Sequence, residues 1–158
     1  MKNVYILSGA SGSGKSFYAE KMISGCRSQR DNVSAVVVSA EDYLQHDFDF
    51  HFNGIARLHE QCFKQFIFAM QAGFDLIFVD NTNTTVAEIS PYVVASGAFG
   101  YEHSIITFQC RNMDDVRFVS ARNRHKIPFE QVFLQHSRIC DRRFLPWWNF
   151  VDVTIERD

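Results

Sequence analysis

Residues 9–16 read GASGSGKS, a complete GxxxxGK[ST] string set between the apolar run NVYILS and the helix-forming stretch FYAEKMI. Glycines at 9, 12 and 14 let the backbone curl with its N–H groups inward, and the dipole of a following helix adds to that positive field. Gly9, Ala10, Ser11, Gly12, Ser13, Gly14, Lys15 and Ser16 are therefore candidates for holding phosphate groups. Lys15 would bridge phosphate oxygens, and Ser16 would offer its hydroxyl to Mg2+. Such a loop works at the carboxyl edge of an open sheet, so it commits the chain to strands alternating with helices.

The remaining pattern agrees. Further apolar runs, VSAVVVS, FDLIFVD, HSIITFQC and NFVDVTI, are short and branched. They suit parallel strands buried on both faces. Between them, helices are expected over 15–30, 55–71, 85–98, 113–124 and 129–142. Ile55, Leu58, Cys62, Phe66 and Met70 recur at helical spacing, and Gly73 supplies a stop. Pro91 fits the third helix only in an opening turn, and Pro128 separates the last two. The fold class is α/β, with a central five-stranded parallel sheet. Without repeats or linkers, residues 1–158 read as one domain.

The chain has 158 residues, 46% of them apolar and sixteen of them Phe, which argues against a disordered chain. No apolar run is long enough for a bilayer, and the amino-terminal stretch lacks the pattern of a signal peptide. Cys26, Cys62, Cys110 and Cys140 are far apart and without metal-ligand spacing, as expected of reduced thiols in the cytoplasm. A net charge of −2 argues against a general nucleic-acid binder. The charge is segregated, however: residues 31–103 hold ten acids against Arg57 and Lys64, whereas residues 111–143 hold eight bases against four acids. A basic wall facing an acidic one suits phosphate chemistry; solvated helix faces are the plainer reading of most single charges.

Two carboxylate sites accompany the loop. LIFVD ends a strand in Asp80, placed to hold Mg2+ with Ser16, while SAEDYL puts Glu41 and Asp42 just beyond another strand. Together GASGSGKS at 9–16, SAEDYL at 39–44 and VDNTNT at 79–84 resemble the stand-alone P-loop kinases related to phage-type polynucleotide 5′-hydroxyl kinases. ARNRHKIP at 121–128 is similar to that family's RN-x-H-x-[VI]-P lid segment, and HFNGIARLHEQCF to its L-x-x-x-H-x-x-C helix start. The resemblance implies a three-layer P-loop kinase fold with a helical lid at about 112–128, and a strand order that puts Asp80 beside Ser16. It also implies ATP or another NTP as donor, Mg2+, and a 5′-hydroxyl RNA or DNA end as acceptor. Lys15 would act on the phosphates, the first acid after Ser39-Ala40 would be the general base, and Arg122 and Arg124 would clamp the moving phosphoryl group. Two positions depart from the family: Glu41 stands where it has Asp, leaving Asp42 as the alternative base, and Leu44-Gln45 lacks its substrate-steadying Arg.

Other readings stay open at this level: a kinase of a nucleoside or other small metabolite, and a nucleotide-binding module without catalysis. Neither a membrane nor a protein partner is indicated. Asp47-Phe48-Asp49-Phe50 superficially resembles phosphatase aspartates but follows no strand, so no phosphatase half is expected. Phe48, Phe50 and Phe52 suit either base stacking or core filling. His59 is expected on the apolar side of its helix, and Trp147-Trp148 are expected to close the core. Arg138, Arg142 and Arg143 read as a solvated helix end, with a nucleic-acid groove as the alternative.

Overall fold

Alternation along the first strand decides how the layers assemble. In β1 (Asn3–Ser8), Val4 and Ile6 are buried on one face of the sheet, and Leu7 and the partly buried Tyr5 on the other. A computed structural model describes residues 1–43 and 52–157, apart from the side chains of Asp42, Tyr43, Phe52, Asn53 and Ile55. The further elements are α1 (Lys15–Gln29), β2 (Ala35–Val38), α2 (Phe52–Ala72), β3 (Leu76–Asp80), α3 (Val86–Ala98), β4 (Glu102–Gln109), α4 (Met113–Arg122), α5 (Phe129–Asp141) and β5 (Phe150–Thr154). A short 3-10 turn follows β2 at Ala40–Tyr43.

The five strands lie in the order β2-β3-β1-β4-β5, and every pairing is parallel. Leu7 pairs with Asp80 across β1 and β3, so the end of LIFVD lies beside the start of the glycine loop, as expected. One face of the sheet packs on α2 and α3 through Leu58, Cys62, Phe66, Ile89 and Tyr92. The other packs on α1 through Ala19, with Phe78 and Phe108 beneath it. A third cluster, Ala10, Val116, Val119 and Val132, fastens α4 and α5 to the glycine loop.

The expected α2 stripe is buried at Leu58, Cys62, Phe66 and Met70. Gly73, at φ 80, ends the helix: its N–H donates to Met70 O and that of Phe74 to Ala69 O, the paired bonds of a Schellman stop. Among the described residues no helix is long and apolar enough to cross a membrane.

Several expectations need correction. β5 is not buried on both faces; as the edge strand it leaves Phe150 and Val151 half exposed. Pro91 lies past the opening turn, inside α3. The hydrogen bond it forgoes faces solvent, since Ala87 and Pro91 are both exposed, and Thr85 caps the start of the helix by accepting from Glu88 N–H. His59 is exposed, one position off the Leu58 stripe. Of the two tryptophans only Trp148 is buried; Trp147 is 74% exposed. The Asp47–Phe50 stretch lies outside the described residues, as does the side chain of Phe52.

Asp75 ties together the amino ends of three strands. Its carboxylate accepts from Ser34 N–H and Ser34 Oγ and pairs with Lys2 at 3.1 Å, which holds its pKa down at about 2. A carboxylate depressed on folding stabilises above its unfolded pKa and loses that contribution as pH falls through the folded value. Asp75→Asn is therefore expected to flatten the fall in Tm between about pH 4 and pH 2, read by thermal melts across that range.

Candidate active site

The glycine loop leaves β1 at Ser8 and enters α1 at Lys15. Gly12 and Gly14 have φ of 89 and 98, which only glycine adopts without strain. Gly14 begins α1 without a side-chain cap, leaving the first-turn N–H groups for an anion. Lys15 is buried, its ammonium donating to Gly9 O at 3.0 Å and Ala10 O at 3.2 Å. Burial pulls its pKa down, opposed by the negative charges of Asp80 and Glu41.

Asp80 is where the strand order requires it, accepting from Ser16 Oγ at 2.6 Å. These two hard oxygens at the mouth of the loop fit Mg2+, which takes few protein ligands and keeps water in its remaining positions. The turn after Asp80 is braced to its surroundings. Gly9 N–H donates to Thr82 O, and Asn83 donates to Leu7 O while its own carbonyl accepts from Ser8 Oγ. Asn81 Oδ1 accepts from Ala40 N–H at 2.9 Å, which fixes the backbone that carries Glu41.

The sequence reading missed three contributors. Asn81 and Asn123 are brace points; both lie in the quoted motifs VDNTNT and ARNRHKIP, but their bonding partners were not visible there. Asn123 accepts from Ile127 N–H and donates to Ser120 O and Ile127 O, ending α4 at Arg122, two residues earlier than expected, and folding 123–127 into a tight loop. The third contributor is His125, whose Nε2 lies 2.9 Å from Glu41 Oε2. Its place in RN-x-H was visible in the sequence, but its partner was not.

Arg122 donates from Nε to Gly12 O at 2.8 Å and from Nη1 to Glu156 O, and packs over the Phe118 ring. Arg124 is exposed on the same rim. Lys15, Ser16, Glu41, Asp80, Arg122 and Arg124 all line one cavity of about 640 Å3, which continues past Tyr18 and Met22 to β5. The Asp42 side chain lies outside the described residues. Arg142 overturns the solvated-end reading: it donates to Asn83 O at 2.7 Å and Thr107 Oγ1 at 2.8 Å, and burial lowers its pKa to about 10. It remains a cation at neutral pH and braces the turn after β3.

Gly12 touches the helix above it. A Cβ there would fall 2.1 Å from Val119 O, a backbone atom that cannot swing aside, whereas at Gly14 the nearest atom is Arg122 Nη2 at 3.6 Å. Both glycines have positive φ, so each Ala substitution carries strain of about 1–2 kcal/mol. Gly12→Ala is expected to lose clearly more stability than Gly14→Ala in denaturant titrations, because only it must also part α4 from the loop.

Parallel sheet, glycine loop and paired Ser16–Asp80 oxygens define a P-loop protein of the kinase type, a class whose general chemistry is phosphoryl transfer. Residues 4–142 match a family described as AAA domain (AAA_33), and the chain belongs to that family. The human NEDD4-binding protein 2 is 36% identical over 101 residues, covering 61% of this chain and 5% of that protein, so the chain corresponds to a small part of this relative's length. Among solved structures, the Pnkp1/Rnl/Hen1 RNA repair complex aligns with TM-score 0.68 at 19% identity, over 88% of this chain and 44% of that one. A gluconokinase from Sinorhizobium meliloti 1021 aligns with TM-score 0.66 at 10% identity, over 99% and 84%. The Mycobacterium tuberculosis APS kinase CysC in complex with AMPPNP and APS aligns with TM-score 0.59 at 15% identity, over 99% and 90%. At these identities the likenesses establish the fold.

Proposed function

We propose that the chain transfers the γ-phosphoryl group of ATP or another NTP to the 5′-hydroxyl end of RNA or DNA, within a single domain over 1–158 whose lid is 112–128. The observation that carries this reading is one cavity lined by Lys15, Ser16 and Asp80 and also by Glu41. A donor's phosphates fit the first three, and an acceptor hydroxyl fits beside the fourth.

In this reading the N–H groups of residues 9–16 hold the β-phosphate and Lys15 reaches the β- and γ-oxygens. Ser16 and Asp80 would hold Mg2+, which when bound offsets the negative charge of the donor's phosphates. Glu41 accepts the acceptor's proton as the hydroxyl oxygen bonds to the γ-phosphorus. The bond from that phosphorus to the bridging oxygen breaks, and the nucleoside diphosphate leaves with its electron pair. Arg122 and Arg124 lie on the rim where equatorial charge builds up, and exclusion of water by the lid strengthens their effect.

A small-metabolite acceptor is the second reading, supported by fold likeness to a gluconokinase and an APS kinase over nearly the whole chain. The deciding assay supplies ATP and Mg2+ with 5′-hydroxyl RNA and DNA oligonucleotides beside a panel of nucleosides and sugar acids. Label on oligonucleotide 5′ ends is expected. Label on small acceptors alone would overturn the polynucleotide reading, and nucleotide binding with no transfer to any acceptor would favour a non-catalytic module.

A further inference from the structure

The contact between His125 and Glu41 joins two parts of the site that are 84 positions apart in the chain. His125 belongs to the loop after α4, and Glu41 to the turn after β2. Each side chain keeps about half its surface in solvent, 46% for His125 and 57% for Glu41. A pair so exposed adds little to folding stability. Its interest lies in what it connects.

Contacts run around the cavity without a break. Gly12 O accepts from Arg122 Nε, and the next residue, Asn123, clasps the backbone of Ser120 and Ile127. That clasp fixes the loop from which His125 reaches Glu41. On the far side, Ala40 N–H donates to Asn81 Oδ1 next to Asp80, and Asp80 accepts from Ser16 Oγ at the end of the glycine loop. Glu41 is also near enough to Lys15 to act on its charge. The lid, the base and the phosphate loop therefore form one ring, in which the His125–Glu41 contact is a solvent-exposed link.

We infer that His125 is a positioning residue for the transfer reaction: it holds Glu41 by Oε2 and leaves Oε1 to take the acceptor's proton. This rests on the reading of Glu41 as the base. A glutamate has one more rotatable bond than an aspartate and needs a second contact to keep its carboxylate at one place. His125 supplies that contact only while the loop at 123–127 lies over the cavity, so the base is aligned when the lid is down.

The test combines proteolysis with kinetics on the full chain. Trypsin cuts after Arg122, Arg124 and Lys126, and both His125→Ala and Glu41→Ala are expected to speed cleavage there several-fold while leaving other sites and Tm unchanged. His125→Ala is expected to lower kcat for acceptor phosphorylation by about 10- to 100-fold, with KM for the NTP little changed. His125→Gln, which retains an N–H donor, should recover most of that loss. Adding His125→Ala to Glu41→Ala should cost nothing further, because both act through one group. Full activity of His125→Ala beside an inactive Glu41→Ala overturns this role alone, as does a double variant whose losses multiply. Full activity of Glu41→Ala instead overturns the base assignment, and this role with it.

Discussion

Lys15→Met is expected to lower phosphoryl transfer by about 100- to 1,000-fold, the usual cost of losing one donor aimed at developing phosphate charge. Met keeps the length and bulk of the side chain, so the loop stays filled while the charge is lost. The bonds to Gly9 O and Ala10 O go with it, which alone would cost some stability. The pH dependence separates these effects. Burial lowers the Lys15 pKa from its ordinary 10.5, opposed by Asp80 and Glu41. Between that lowered value and 10.5 the unfolded chain binds a proton at this position that the folded chain does not. Wild-type stability then rises with pH relative to Lys15→Met across that window. Thermal melts of the two proteins at increasing alkaline pH measure the difference, from which other titrating groups largely cancel. A difference that stays flat with pH means that Asp80 and Glu41 fully offset the effect of burial on Lys15, and a variant with full transfer activity removes it from the chemistry.

Much of this arrangement could be read before the structure, because it depends on local pattern. The strand-loop-helix context of GASGSGKS determines the phosphate loop, and the run ending in Asp80 fits beside it as soon as β3 is the neighbour of β1. Side chains that act across distant elements could not be read in this way. Arg142 ends a helix in the sequence, and only the tertiary fold brings it to Asn83 O and Thr107 Oγ1. His125 follows two arginines and looks like part of a basic rim until the Asn123 clasp turns its loop toward Glu41. β5 reads as a buried strand from its Phe and Val residues, yet edge position outweighs composition. In each case the deciding term is a tertiary contact or an edge, which residue type alone does not specify.

Glu41→Ala is expected to reduce transfer to a 5′-hydroxyl by about 100- to 10,000-fold, the range for loss of a positioned general base. Nucleotide binding should be nearly unchanged, because Glu41 is not part of the glycine loop, and Tm should hold because the side chain is more than half exposed. Glu41→Asp gives the sharper measurement. The shorter side chain draws the carboxylate back from His125, so activity should fall between wild type and Glu41→Ala, and His125→Ala should then cost little more. Asp42→Ala is the essential partner experiment, since both acids follow Ser39-Ala40 and either could take a proton. If Asp42→Ala costs more than Glu41→Ala in the same assay, the base is Asp42 and the Glu41 contact serves only to fasten the lid. If Glu41→Ala costs more, the acid that follows the Ala40 backbone pinned by Asn81 and whose carboxylate touches the lid is the one that performs the chemistry. Placement would then explain the assignment: Glu41 follows a residue pinned by Asn81, and its carboxylate meets His125.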